Sequence, residues 1–436
     1  MFGKAKEKNI NVGTCVSSKE SGVDAAKEAA EVAVKECGMQ PDFSIVYVDS
    51  RYNPDEICGG INSILGTNWV GCSTDRQFSD KMTIAKEKTV MVMSIKSNYL
   101  HFGVGAVENY RKDPKAAGQK AIKEAIATFK KDEYVNPYVQ FRRAQTKSYS
   151  EIVRTPPYFI ITFLSGTMFE NKKIILGKEN DFLSGIFDTV GANIPVFGSV
   201  SNSDFDKFMK EAEGKNYQFA NGKVLKGGAI TLFVSSSLLF SYGLEHGYKE
   251  TNISGLITKV IDGQIVVEIN GKPAIDEYCK MIGVNKEDFL KDPYKYTLAR
   301  SIAIMDVQGN TYIRAMGITP DKKYLFSQAK LPARAAFNIV EYEEKSAINA
   351  ASNALKLANN EKEQIAFALI SSCSSRKALL GDKIKDEISA VKKVHGKFPF
   401  MGFYTFGEIG SNINCTCLLN EQSVTLLVVY DKLLSE

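Results

Sequence analysis

Apolar positions along the chain alternate between two rhythms, one of helical spacing and one of short continuous runs. The run GVDAAKEAAEVAVKECG carries alanine and valine at helical spacing, and the strand-like FSIVYV (43 to 48) follows it. A polar turn, DSRYNPDE, then leads to a helix through ICGGINSILG, a short strand WVGC (69 to 72) and the strand TVMVMSI (89 to 95). The same order recurs twice. DPKAAGQKAIKEAIATFKK (113 to 131) opens a second copy, with strands YFIITFL (158 to 164), PVFG (195 to 198) and GGAITLFVSS (227 to 236). SAINAASNALKLA (346 to 358) opens a third, with QIAFALI (364 to 370), a helix through KALLGDKIKDEISAVKKV, then FPFMGF (398 to 403) and SVTLLVVY (423 to 430).

This order predicts an α/β fold of mixed β-sheets with flanking helices, arranged as a weak three-fold repeat of a helix-strand-helix-strand-strand unit. Gly71, Gly198 and Gly402 fall at equivalent ends of the third element. Each strand–helix–strand piece is a βαβ unit, whose right-handed crossover puts two neighbouring loops beyond the carboxyl ends of its strands. Between copies two and three, alternating apolar residues surround Asp262-Gly263 and Asn270-Gly271, which predicts a hairpin followed by a helix (256 to 278). Paired strands are expected in 296 to 319, broken at Gln308-Gly309-Asn310, and 132 to 158 reads as a long surface insertion. The turn-rich change from Gly247 to Gly255 predicts two domains, 1–255 and 256–436, each with its own core.

Composition narrows the class. The 436 residues are 44% hydrophobic and 24% charged, which excludes a disordered or fibrous chain. The net charge of +5 is scattered among acids rather than massed, which argues against a nucleic-acid partner. No stretch reaches the roughly 18 apolar residues of a membrane span, and the N-terminus lacks the apolar middle of a signal peptide, so a cytoplasmic protein without membrane insertion is expected. The eight cysteines are too dispersed for a metal site, and no cofactor motif is present.

The third pair of loops is the richest in chemistry. SSCSSRKALLG (371 to 381) follows a buried strand and opens a helix, so its serines offer hydroxyls beside unpaired amides, and Arg376 adds a planar fork suited to a carboxylate or phosphate. In GFYTFGEIG (402 to 410) a lone Glu408 sits among apolar and aromatic residues and needs a partner. Arg376 is either that partner, in a structural ion pair, or the two face a ligand carrying both charges. Cys373, at a helix start, is a candidate nucleophile, but His101, His246 and His395 are remote in sequence and no base is evident. Asp75 and Asp204 lie in Ser-rich turns, where capping explains them.

The run SCSSRKALLG, then FPFMGFYTFGEIG and SVTLLVVY, resembles the C-terminal signature of the FIST family. VGCSTD, PVFGSVSNSDFDKF, NGKV and HGY resemble its FIST N motifs, and VVEINGKPAIDEY with ARSI resembles the start of FIST C. FGSVSNSD departs from the family's Gly-Gly-Ser-Ala-Gly-Asp type of loop. The resemblance implies a bacterial signal-transduction sensor without catalytic activity or cofactor, binding an amino acid or related small metabolite and acting through a separate kinase, cyclase or chemoreceptor. The expected ligand-binding residues are Ser372, Cys373, Arg376, Arg300, Tyr404, Thr405 and Glu408, with Arg376 holding a carboxylate and Glu408 an ammonium. The alternative is a cysteine-dependent transferase or hydrolase using Cys373, and a third reading is a module whose loops contact a protein partner directly.

Overall fold

The fold is known from a computed structural model that describes residues 8–129, 158–170, 173–192, 194–204, 207, 211, 213–306, 309–358, 363–394, 396–410 and 418–434. Of the expected insertion 132–158 all but Tyr158 lies outside the described residues, as do residues 1–7 and the cysteines 415 and 417. The alanine-rich helices form as the spacing predicts. Gly22–Cys37 starts at Ser21, whose side chain accepts from the Asp24 amide, and stops at Gly38 in the left-handed region (φ 79°). Pro114–Thr128 and Glu344–Ala358 are the corresponding helices further along.

Three groups of four strands follow one spatial order. The first runs Asn11–Ser17, Val90–Lys96, Phe43–Asp49, Trp69–Ser79; the second runs Leu100–Val107, Ala229–Ser236, Tyr158–Ser165, Val196–Ser201; the third runs Leu238–His246, Ser423–Leu433, Ile365–Cys373, Phe400–Thr405. In each group the last two strands are parallel and the other neighbours antiparallel. Each group therefore begins with a strand ahead of its alanine-rich helix, an element the sequence pattern left out. A Cβ on Gly71, Gly198 or Gly402 would lie 2.4, 2.4 and 2.5 Å from the carbonyl oxygens of Val46, Thr162 and Ile370 in the adjoining parallel strand, so only glycine fits there. The alanines have a similar cause. Gly13, Gly105 and Gly243 on the leading strands would bring a Cβ within 2.0, 1.8 and 2.2 Å of the Ala33, Ala121 and Ala354 carbonyls, and small residues on both sides allow that approach.

The first and third groups join into one sheet through Trp69–Ser79, far longer than the WVGC strand expected. Its residues 69–74 pair with Ser44 to Asp49, and residues 75–79 pair antiparallel with Phe400–Thr405. The switch falls at Arg76, in the left-handed region (φ 50°), where the register shifts in a bulge. The second group continues into Glu408–Gly410 and Leu418–Asn420. A third sheet, centred on Tyr248–Ile261, Arg300–Met305 and Ala336–Tyr342, packs the helix Ala274–Ile282 into a separate apolar cluster. Its turn at Asp262-Gly263 is the one the sequence predicts, both residues at positive φ (52° and 70°), whereas residues 296–299, expected in a strand, complete the helix Pro293–Ala299.

The core is shared across the chain. One apolar cluster holds Ile45 and Tyr47, Phe163 and Ile230, and Phe367, Phe403 and Leu427. Tyr47 stands at its centre, with the rings of Phe163 and Phe403 at centroid distances of 5.8 and 4.8 Å. Residue 255 lies inside the strand Tyr248–Ile261. Strands from both sides of residue 255 pair directly, at Trp69–Ser79 with Phe400–Thr405 and at Val196–Ser201 with Glu408–Gly410. No helix among the described residues is long and apolar enough to cross a membrane.

Candidate functional site

The three parallel pairs end at matching register, Asp49 beside Thr74, Ser165 beside Ser201 and Cys373 beside Thr405. Their carboxyl ends converge on one polar interior. Asn202, fully buried, ties all three groups together: its Oδ1 accepts from the Asp75 amide (2.8 Å), and its Nδ2 donates to the Tyr404 carbonyl (2.6 Å) and to Ser374 Oγ (3.1 Å). Lys377 Nζ and Asp75 Oδ2 form an ion pair at 2.7 Å with both side chains largely covered. Thr405 Oγ1 accepts from the Val200 amide at 3.0 Å, and the hydroxyls of Ser199 and Ser371 bond to each other. Burying so many polar groups is tolerated only because they satisfy one another.

Behind that layer sits the arginine the sequence singled out. Arg376 is 1% exposed; its Nη2 meets Glu387 Oε1 at 2.7 Å and the Ala347 carbonyl at 2.7 Å, and its Nε donates to Ser372 Oγ at 3.2 Å. Tyr404 donates its hydroxyl proton to Glu387 Oε2 at 2.7 Å. Glu387 was missed by the sequence reading. Its signal was its place at the helical spacing Ile384, Glu387, Ile388, Val391, an acid on an otherwise apolar stripe of the helix Ile384–Val394.

Glu408 is buried without Arg376 as an ion-pair partner. Its Oε2 accepts from the Ser423 amide (3.1 Å) and hydroxyl (2.8 Å), while Oε1 has no hydrogen-bond partner among the described residues. Burial pushes this carboxyl up to about 8, against the opposing pull of Ser423. The adjacent Cys373 thiol, accepting from Ser375 Oγ at 3.0 Å, is raised by burial and then by Glu408. A thiol held protonated is a poor nucleophile. Ser372, Cys373, Arg376, Tyr404, Thr405 and Glu408 therefore gather at one place, whereas Arg300 stands apart. It pairs with Glu341 at 2.9 Å on the third sheet, with both side chains more than 40% exposed.

A cleft of about 520 Å³ opens beyond the ends of Phe43–Asp49 and Val196–Ser201, lined by Ser50, Arg51, Ser203, Asp204, Lys207 and Tyr217 among others. Arg51 is pre-oriented: its Nε and Nη2 hold the two oxygens of the buried Asp49 at 2.8 and 2.6 Å, which leaves Nη1 outside that pair. Asp49 holds its guanidinium firmly charged, with Asp204 and Asp75 adding to the same field. Asp204 accepts from the Lys207 amide at 3.1 Å, the turn-capping role its setting predicts. In sequence Arg51 and Asp49 were only part of a polar turn. The available signal was a charged residue immediately beyond a buried strand end.

The FIST N domain model matches residues 42–272 and the FIST C domain model residues 274–411. The chain belongs to the FIST family. FIST domains are sensory domains in signal transduction. In this FIST chain the two matches meet at the turn from Lys272–Pro273 into the helix Ala274–Ile282. An uncharacterized protein of Methanocaldococcus jannaschii is 24% identical over 355 residues, which cover 78% of the FIST chain and 60% of that relative. The chain thus spans about three fifths of the relative's length. Among solved structures, a cyanuric acid hydrolase from A. caulinodans aligns over 97% of the FIST chain and 99% of its own, with a TM-score of 0.35 and 8% identity.

Proposed function

We propose that this FIST chain is a cytoplasmic sensor whose ligand, an amino acid or a related dipolar metabolite, binds in the cleft that holds Arg51 and Asp204, and whose occupancy is passed to a separate kinase, cyclase or chemoreceptor. The carrying observation is that cleft: it lies at the carboxyl ends of two strands, where open α/β sheets bind ligands, and contains charges of both signs, Arg51 with Lys207 and Asp204 with Glu213. Arg51 suits the carboxylate of such a ligand, Asp204 its ammonium, and Tyr217 an apolar middle. The layer expected to clamp the ligand takes a different part. Arg376 already has its charge met by Glu387, so the proposed role of Ser372, Cys373, Arg376, Tyr404, Thr405 and Glu408 is to carry strain from the cleft, through Asn202 and the Asp75–Lys377 pair, into the helix Ser374–Leu380. Free thiols at Cys15, Cys37, Cys58, Cys72, Cys279 and Cys373 accord with a reducing compartment.

Thermal unfolding against the twenty amino acids and their amides tests the reading. A ligand at a hundred times its dissociation constant stabilises the native state by about 2.7 kcal/mol, so at least one member should raise the midpoint clearly. A panel with no shift at millimolar concentrations counts against an amino-acid sensor.

A further inference from the structure

A second buried polar cluster lies away from the cleft, where a short segment of FIST C reaches a helix of FIST N. Leu325–Phe326 pairs with Ile265 and Val266, and the segment 327–330 then leaves the sheet. Its Gln328 makes contacts on three sides. Gln328 Nε2 donates to Glu179 Oε1 at 3.2 Å, its amide donates to Glu421 Oε1 at 3.0 Å, and its carbonyl accepts from Asn180 Nδ2 at 3.1 Å and Gln264 Nε2 at 2.7 Å. Ser327 Oγ holds the other Glu421 oxygen at 2.8 Å, and the Lys330 ammonium pairs with Asp181. Ala329 is buried in the apolar cluster of Phe182 and Ile186.

Two groups here are left incomplete. Glu179, fully buried at the start of the helix Glu179–Val190, has no hydrogen-bond partner on Oε2 among the described residues, and neither has the buried Nε of Arg111. Arg111 spends its Nη2 on Ser165 Oγ and on the Ser165 and Gly166 carbonyls. We propose that segment 327–330 is a latch between the two FIST regions, closed while Glu179 carries a proton and released when that proton passes to solvent.

The charges around Glu179 give the latch its two states. From the turn Tyr110–Lys112 it faces Arg111 and the Tyr110 hydroxyl; from the connection between Leu418–Asn420 and Ser423–Leu433 it faces Glu421, itself opposite the buried Arg314; the exposed Asp181–Lys330 and Lys115–Asp188 pairs also involve its helix. The neutral acid fits the enclosed site, where Oε2 meets no donor among the described residues. Once ionised, the carboxylate is repelled by Glu421 and is enclosed with Oε2 unpartnered, a cost that the donation from Gln328 does not offset and that opening of the segment relieves by admitting water. Burial raises this carboxyl to about 7, so the change falls near neutrality. A raised value in the closed state means closure is favoured at low pH, and the preference is lost as pH climbs from the ordinary carboxylate value to that of the closed state.

Hydrogen exchange of peptides covering 325–331, corrected for the intrinsic pH dependence of exchange, reads the latch directly. Between pH 6 and pH 9 the opening equilibrium of the wild type should rise about tenfold. Glu179→Gln, which stays neutral, should remain flat across that range, and Gln328→Ala, at a half-buried position, should already show at pH 6 the opening that the wild type reaches at pH 9. A flat wild type, an unchanged rise in Glu179→Gln, or wild-type protection at pH 6 in Gln328→Ala would each overturn the latch; should Glu179→Gln not fold, the wild-type and Gln328→Ala profiles decide alone.

Discussion

Replacing Glu387 by alanine is expected to destabilise the protein by about 3–5 kcal/mol, read as a lower denaturant midpoint at unchanged slope. The size follows from what is left behind. Arg376 is enclosed, with Glu387 as the carboxylate that meets its guanidinium, and Tyr404 loses the acceptor of its hydroxyl in the same step. An unpaired buried guanidinium cannot escape the cost by losing its proton, because its pKa is too high. The attraction of the pair itself is worth far less, since removing both charges also removes the cost of desolvating them. Arg376→Leu combined with Glu387→Leu should therefore lie closer to the wild type than Glu387→Ala does. A loss below about 1 kcal/mol for Glu387→Ala would mean that water reaches the guanidinium and that the layer is not the sealed unit described.

The second large effect concerns pH. Glu408 has a folded-state value of about 8 against an ordinary 4.5, so its neutral form favours the fold. Its contribution is complete below the ordinary value and is lost as pH rises through 4.5 to 8, an amount on the order of 3 kcal/mol or more. Glu179 acts in the same direction over a lower window, ending near 7. Glu408→Gln removes one of these two shares. The variant should keep the Ser423 contacts through its amide oxygen, and its stability should fall less than that of the wild type between pH 6 and pH 9. Parallel pH profiles for the two proteins would show that Glu408 is ionised in the fold at neutral pH.

Much of this organisation was legible in the sequence because strands and helices here obey local rules. Glycines 71, 198 and 402 stood out in the sequence, and each lies at the third residue of its strand rather than at the end, where a close carbonyl excludes a side chain. The turn at Asp262-Gly263 needed positive φ and announced it. The pairing of Trp69–Ser79 with Phe400–Thr405 left no such trace: it joins residues more than 300 positions apart, and nothing local records which sheet edge a strand will meet. At the site, Arg376 and Glu408 were recognisable as charges in apolar company, but the protein groups that meet them were not legible. Glu387 comes from a helix eleven residues beyond Arg376 and Ser423 from a strand fifteen residues beyond Glu408, so the structural ion pair, one of the two alternatives for these residues, does not form. Arg51 escaped notice because Asp49, which orients it, is itself buried and reads as the polar end of a strand.

The central claim is that a dipolar ligand is held in the cleft of Arg51 and Asp204, and calorimetric titration of Arg51→Ala with the amino acid that most stabilises the wild type tests it most directly. Hydrogen bonds to charged groups contribute about 1.5–3 kcal/mol each, so loss of the guanidinium should weaken binding by roughly ten- to a hundred-fold, measured at a temperature where the variant, which leaves the buried Asp49 without this partner, is still folded. Affinity in Arg51→Ala equal to that of the wild type would place the ligand elsewhere and contradict the account.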